Sequence, residues 1–143
     1  MKLTKKAEYA IKAMGILARN EGKLCTIKAI ADEHKMPKKF LEQILLALKT
    51  ADLVVSKAGP HGGYRLARPA EQITLGDILT AVGDPLGRPA RRSSKTKSEE
   101  LPLDKILREI RQCLSSKVRE VSLRDLASSE VSKHQVEELM WYI

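Results

Sequence analysis

The stretch from Thr26 to Pro69 constrains this chain most, because it fixes the order helix, tight turn, helix, strand, glycine turn, strand. Residues placed at steps of about 100° along Pro37–Thr50 put Phe40, Leu41, Ile44, Leu45 and Leu48 on one face and Lys39, Glu42, Gln43 and Leu46 on the other. A helix patterned in this way docks by one side and displays a polar side. Upstream, TIKAIADEHKM reads as a shorter helix with Thr26 as N-cap, and Pro37 suits the first turn of the helix that follows, so Lys35 and Met36 make the turn between them. Downstream, LVVSKA and YRLAR are β-prone runs separated by GPHGG, whose glycines supply the backbone freedom of a tight hairpin. The pattern predicts a mainly α chain with a small β-hairpin wing: a winged helix-turn-helix.

Charge points the same way. Residues 1–68 hold 14 lysines and arginines against 6 acids, whereas residues 69–143 hold 12 of each, so the whole net charge of +8 sits on the first half. A solvated basic surface would give that count too, but a winged helix beneath it makes double-stranded DNA the economical partner, since each cation beside a phosphate releases counterions. No run of about 18 apolar residues exists for a membrane span, and Lys2 is followed by an amphipathic pattern rather than a signal-peptide block. The cytoplasm is the expected compartment. Cys25 and Cys113 stand far apart without CxxC or histidine-rich spacing, against a disulfide framework or a structural zinc site.

On the polar face of Pro37–Thr50, Gln43 can pair with adenine, Glu42 can accept from the cytosine amino group, Lys39 can reach guanine or a phosphate, and Leu46 can touch a thymine methyl. A salt bridge to Lys38 is an equal reading of Glu42. Before this segment, Thr4 caps a helix to about Asn20 with Ala7, Ala10, Ile11, Met14, Leu17 and Ala18 as its apolar stripe. Lys5 and Lys6 lie in its first turn, where the helix dipole disfavours cations, which suggests an external phosphate or a solvated end. Tyr9 is read as core first and as a phosphate contact second. Lys28, Lys38, Lys57, Arg65 and Arg68 complete the backbone candidates, with Gly59, Gly62, Gly63 and the tip residue His61 forming the wing. His34 reads as a helix cap and Cys25 as a small buried residue.

After the wing, Thr74 and Asp77 have capping-box spacing ahead of Ile78, Leu79 and Val82, and Gly83 fits the stop. A first domain over 1–83 is expected, with its own apolar faces. Residues 84–101, centred on GRPARRSSKTKSEE, read as a flexible basic loop that either clamps DNA or does nothing. Residues 102–143 read as a dimerisation helix to about Arg119 followed by two short helices, started by Ser122–Asp125 and Ser132–Gln135, with Trp141 as an anchor. Leu103, Leu107, Ile110 and Leu114 form the line of the long helix, with Ile106, Cys113 and Val118 on its margins. These seven residues are the expected homodimer interface.

The start LTKKAEYA, the helix PKKFLEQILLALKTADLV, the wing SKAGPHGGYRLARP and the following ITLGDILTAV occur in the order seen in the Rrf2 family of transcriptional regulators, which this sequence resembles closely over residues 1–83. The resemblance implies a winged-helix regulator in which the glutamate of the LEQ element, here Glu42, discriminates bases. It also implies an arginine before the wing glycine, where this chain has Ala58 with Lys57 one residue earlier. Many members carry three cysteines that hold an iron–sulfur cluster between the wing domain and the long helix. This chain has none between Gly83 and Pro102, so the resemblance is to cluster-free members, with no cofactor and no metal site.

No paired carboxylates, Ser/His/Asp set or phosphate loop stands in the sequence, so no catalytic residues are assigned and the chain is not read as an enzyme. The expected function is a homodimeric, sequence-specific regulator that represses by occupying a palindromic operator. A redox or metal sensor of the same fold and a non-specific architectural protein are the alternatives. The signal, a small molecule or a protein effector, is not named by the sequence.

Overall fold

The computed structural model describes residues 2–89 and 101–128. Three helices lead: α1 Lys5–Arg19, α2 Ile27–Glu33 and α3 Lys38–Thr50. They are followed by strands β1 Val54–Lys57 and β2 Gly63–Leu66, by α4 Leu75–Ala81, and by the long α5 Pro102–Glu120. The expected helix starts hold. The Thr4 hydroxyl accepts from Ala7 N–H, the Thr26 hydroxyl accepts from Ala29 N–H, and Thr74 and Asp77 make a reciprocal capping box. Gly83, at φ +73°, ends the turn after α4.

The core forms where the apolar stripes of α1 and α3 meet. Ala7, Ala10, Ala13, Met14 and Leu17 of α1 close on Leu41, Ile44, Leu45 and Leu48 of α3, with Ile30 of α2 and Ile78 and Leu79 of α4 filling the sides. The alanines matter here, because a helix with short side chains on one face lets its neighbour approach. The hairpin β1–β2 is antiparallel, pairing Val54 with Leu66 and Lys57 with Gly63.

Two features differ from the sequence reading. The first is at residue 84, where a flexible loop was expected. Asp84 is buried, Pro85–Gly87 forms a 3-10 turn, and the carboxylate accepts from Thr4 N–H at 3.1 Å, the Thr4 hydroxyl at 2.9 Å and Leu86 N–H at 2.9 Å. Burial opposes its charge, yet these three hydrogen bonds outweigh that and hold the carboxyl below its ordinary range. Thr4 therefore caps α1 with its oxygen while its hydroxyl proton closes the end of α4. The central part of the expected loop, residues 90–100, lies outside the described residues.

The second difference is the boundary at residue 83. After α5 the chain returns to the first domain: Leu75 N–H donates to Val121 O at 2.9 Å and Leu123 N–H donates to Ile73 O at 2.7 Å. The Ser122–Asp125 box forms as expected and starts helical turns over residues 123–128. Leu123 and Ala127 are then buried in the core beside α1 and α4 residues. Arg124 pins this return by pairing with Glu21 and with Glu71, the latter at 2.8 Å, while the other Glu21 oxygen accepts from Ala70 N–H. The first domain is thus completed from 40 residues downstream of where its continuous pattern stops, a long-range closure that the local helical pattern of the segment does not announce. The box at Ser132–Gln135 and Trp141 lie outside the described residues.

Two outcomes are expected from these contacts. A fragment ending at residue 83 loses the Leu123 closure and fails to unfold cooperatively, and Leu123→Ala in the full chain costs about 2–5 kcal/mol in urea denaturation, far more than Arg124→Ala on the exposed surface. Asp84→Asn costs about 1–3 kcal/mol at pH 7. Because the native carboxyl titrates below the unfolded one, its contribution is complete above about pH 5 and fades as pH falls toward the depressed native value, so the gap between the two proteins in denaturation narrows steadily with acidification.

Candidate nucleic-acid interface

The turn between α2 and α3 sets the display of α3. His34 ends α2, Lys35 takes a left-handed φ of +50°, and Met36 tucks into the core with its N–H on Ala31 O at 2.8 Å. Pro37 then stands as N-cap of α3, one position ahead of the first-turn place expected from sequence. With the Leu41–Ile44–Leu45–Leu48 stripe fully buried, Lys39, Glu42, Gln43 and Leu46 are all exposed, and Leu46 is 63% accessible.

Two contacts tie the wing to the helical part, and a third closes its own base. Cys25 exchanges both backbone hydrogen bonds with Tyr64, each at 2.8 Å, so the residue before α2 is paired to β2. Burial, with the charge of Glu33, raises the Cys25 thiol above its ordinary value. Lys49 donates to the Ser56 hydroxyl at 2.7 Å, joining the last turn of α3 to β1. Ala67 N–H on Leu53 O closes the base of the hairpin.

Two of the wing glycines are required by close backbone packing in addition to the turn. A Cβ on Gly62 would lie 2.1 Å from Lys57 O, and one on Gly63, at φ +149°, would lie 2.5 Å from Cys25 O. Their missing side chains are used by the hairpin itself and by the strand edge it joins, not by an approaching ligand. Gly59, at φ +109°, faces open space, so its conformation and not crowding calls for glycine. Lys57, His61 and Arg65 are exposed around it.

On α1, Tyr9 packs edge-on against Phe40 with ring centroids 5.7 Å apart, which makes it a brace between α1 and α3. Lys5 and Lys12 lie 5.9 and 6.0 Å from the Tyr9 ring centroid, a cation–π arrangement that sequence spacing hid for Lys12. The first-turn charge of Lys5 is met within the chain by Glu8 at 3.1 Å, which also raises the lysine's pKa. Lys28 and Lys38 are exposed and Lys6 is half-buried. Arg68 is turned toward α4, pairing with Asp77 at 3.3 Å. Lys49 was missed because its partner, Ser56, arrives only when the hairpin folds back.

The α5 face divides. Leu103, Ile106, Leu107 and Ile110 are exposed by 63, 52, 41 and 51%, and Cys113 is exposed, while Leu114 and Val118 are half-buried and Val118 packs on the core. Among the described residues no group of histidine, cysteine and acidic side chains is arranged to hold a metal ion, and no helix is long and apolar enough to cross a membrane.

Residues 3–129 match the Rrf2 family, described as iron-dependent transcriptional regulators. A Synechocystis protein assigned to the HTH-type transcriptional regulators is 33% identical over 128 residues, covering 88% of this chain and 87% of its own length. A Mycobacterium tuberculosis protein of the same type is 33% identical over 138 residues, with 94 and 86% covered. Among solved structures, CymR, the global cysteine regulator of B. subtilis, superposes with a TM-score of 0.78 at 29% identity, over 90% of this chain and 98% of that one. T. potens IscR gives 0.74 at 25% identity, over 91 and 88%. With its helix-turn-helix, its wing and a family match that spans nearly all of it, the chain belongs to the Rrf2 family of DNA-binding transcriptional regulators and is not an enzyme.

Proposed function

We propose that the protein is a cytoplasmic homodimeric repressor that reads a palindromic operator with α3 and does so without an iron–sulfur cluster. The observation that carries this reading is the outward face of α3, where Lys39, Glu42, Gln43 and Leu46 stand clear of the core beside the wing. Lys39 and Gln43 supply donors and Glu42 an acceptor, enough to distinguish base pairs in a major groove. Lys57 and Arg65 at the wing, with Lys28 and Lys38 around the turn, supply charge to the flanking phosphates. A protein seated in this way on promoter DNA excludes polymerase, which makes repression the simplest outcome.

The dimer is supported by α5. Four large apolar side chains on its first half are exposed, and none of its residues is fully buried. A second copy of the same stripe would cover them and fix two reading helices about 10 base pairs, or a multiple, apart. The family description names iron, but the residues here do not suit a thiolate cluster. The whole sequence has two cysteines, one paired by its backbone to the wing and one on α5. No step is assigned to a cluster.

Glu42→Ala and Gln43→Ala should each alter base preference at one position by about 1–3 kcal/mol in a binding-site selection, whereas Lys57→Ala and Arg65→Ala should weaken all sequences alike and reduce the salt slope by about one. An unchanged preference in both α3 variants would remove α3 as the reader. Leu107→Asp with Ile110→Asp should give monomers by sedimentation that keep a cooperative melt, since neither residue touches the core. Those monomers should lose operator binding and keep weak, salt-sensitive binding; a double variant that stays dimeric refutes the α5 interface.

A further inference from the structure

A trough of about 710 Å³ lies between the last turn of α3, α4 and the end of α5. Ala47 and Ala51 of one wall face Gly76 and Ala81 of the other, with Leu53 and the threonines Thr50, Thr74 and Thr80 completing the lining. Gly76 makes the geometry: a Cβ there would stand 3.1 Å from Arg119 Cγ and 3.4 Å from Val118 Cγ2, so the last turn of α5 lies against α4 and sets Arg119 at the rim. Arg68 enters from the foot of the wing. Three charged groups therefore line one trough, and they do not balance. Asp77 is the one carboxylate, and it is already used twice, by Arg68 at 3.3 Å and by Thr74 N–H at 2.9 Å in the cap of α4. Arg119 has no hydrogen bond or ion pair among the described residues, and Arg68 spends one nitrogen on Asp77. The site has a surplus positive charge, planar donors suited to a carboxylate, and an apolar bed beside them.

We propose that this trough binds a small organic anion with a single carboxylate and a flat apolar body, the carboxylate on Arg119 and Arg68 and the body over Ala47, Ala51 and Ala81. The ligand would touch the reading helix and the end of the α5 strut together, so occupancy changes DNA affinity. That last step rests on the DNA-binding reading, while ligand binding itself does not. A DNA phosphate is the competing source of anion, but Lys39, Glu42 and Gln43 lie in the N-terminal half of α3, and the trough lies at its other end.

The test uses the full-length protein without DNA and 2-naphthoate as probe, with 2-naphthamide as its uncharged counterpart. Calorimetry should give saturable naphthoate binding with a dissociation constant at or below about 1 mM. Arg119→Gln, an exposed substitution, should leave the melting temperature unchanged and weaken naphthoate about tenfold, and the amide should bind wild type about tenfold more weakly than the acid. Amide chemical shifts that move on titration should cluster at Ala47, Thr50, Gly76, Thr80 and Arg119. No saturable binding, equal binding of acid and amide, or indifference to Arg119→Gln overturns the site. Saturating naphthoate should shift affinity for a genomically selected fragment at least threefold in wild type and not in Arg119→Gln; an unchanged affinity overturns the regulatory step alone. If Arg119→Gln without probe lowers the salt slope of DNA binding by about one, the guanidinium serves a phosphate and the proposal falls.

Discussion

The structure depends on burying one stripe of α3. Leu41, Ile44, Leu45 and Leu48 are excluded from solvent against α1, each contributing about 1.5–3 kcal/mol relative to exposure. Side chains on a helix keep fixed angular offsets, so docking this stripe also decides where Lys39, Glu42, Gln43 and Leu46 point. Rotating α3 by one residue would drive a polar side chain into the core and take the reading face off its target. Orientation for DNA is thus a by-product of apolar packing. The Tyr9–Phe40 edge contact and the Lys49–Ser56 hydrogen bond refine it from either end of the helix.

What could be read from sequence was what local chemistry encodes. The α3 faces follow from a 3.6-residue period, and the starts of α1, α2 and α4 follow from threonines whose hydroxyls have a backbone N–H within reach three residues on. The hairpin follows from glycine spacing, although not the purpose of each glycine. Gly62 and Gly63 lack side chains because Lys57 O and Cys25 O occupy those places, a fact of assembled backbone that no spacing contains. Asp84 was misread for the same reason: in sequence it opens a Pro-rich polar stretch, and only the approach of Thr4 from 80 residues away makes a buried carboxylate tolerable. Leu123 shows the largest gap, since the Leu123, Leu126 and Ala127 spacing announces a short helix but not that it packs back on residues 73–79 to close the core. Candidate phosphate contacts on α1 and after the wing were legible as charges but not as partners. Lys5 meets Glu8 and Arg68 meets Asp77, both within the chain.

α5 poses a different physical problem. Helices in proteins draw most of their stability from packing an apolar face, and the favourable placements of Pro102 at its start, Asp104 in its first turn and Lys117 and Arg119 in its last add only small terms. Most of its stability has to come from covering its apolar stripe. At the C-terminal end that cover is present, where Val118 packs on the core and Gly76 admits the helix closely. At the N-terminal end, among the described residues, it is not.

The helix therefore resembles a lever held at one end. Its fixed end is joined to the core on both sides, through Gly76 of α4 and through the Val121–Leu123 return that pairs with Ile73 and Leu75. The contact at Gly76 is close, with room for an added Cβ only 3.1 Å from Arg119 Cγ, so a tilt of α5 would press directly on α4. α4 in turn lies beside the C-terminal half of α3, across the trough that Arg68 and Arg119 border. The path from α5 to α3 is a few contacts long and runs along the trough. A change in the angle of α5 would reach α3 through those contacts, and a molecule seated in the trough would bear on both ends of that path.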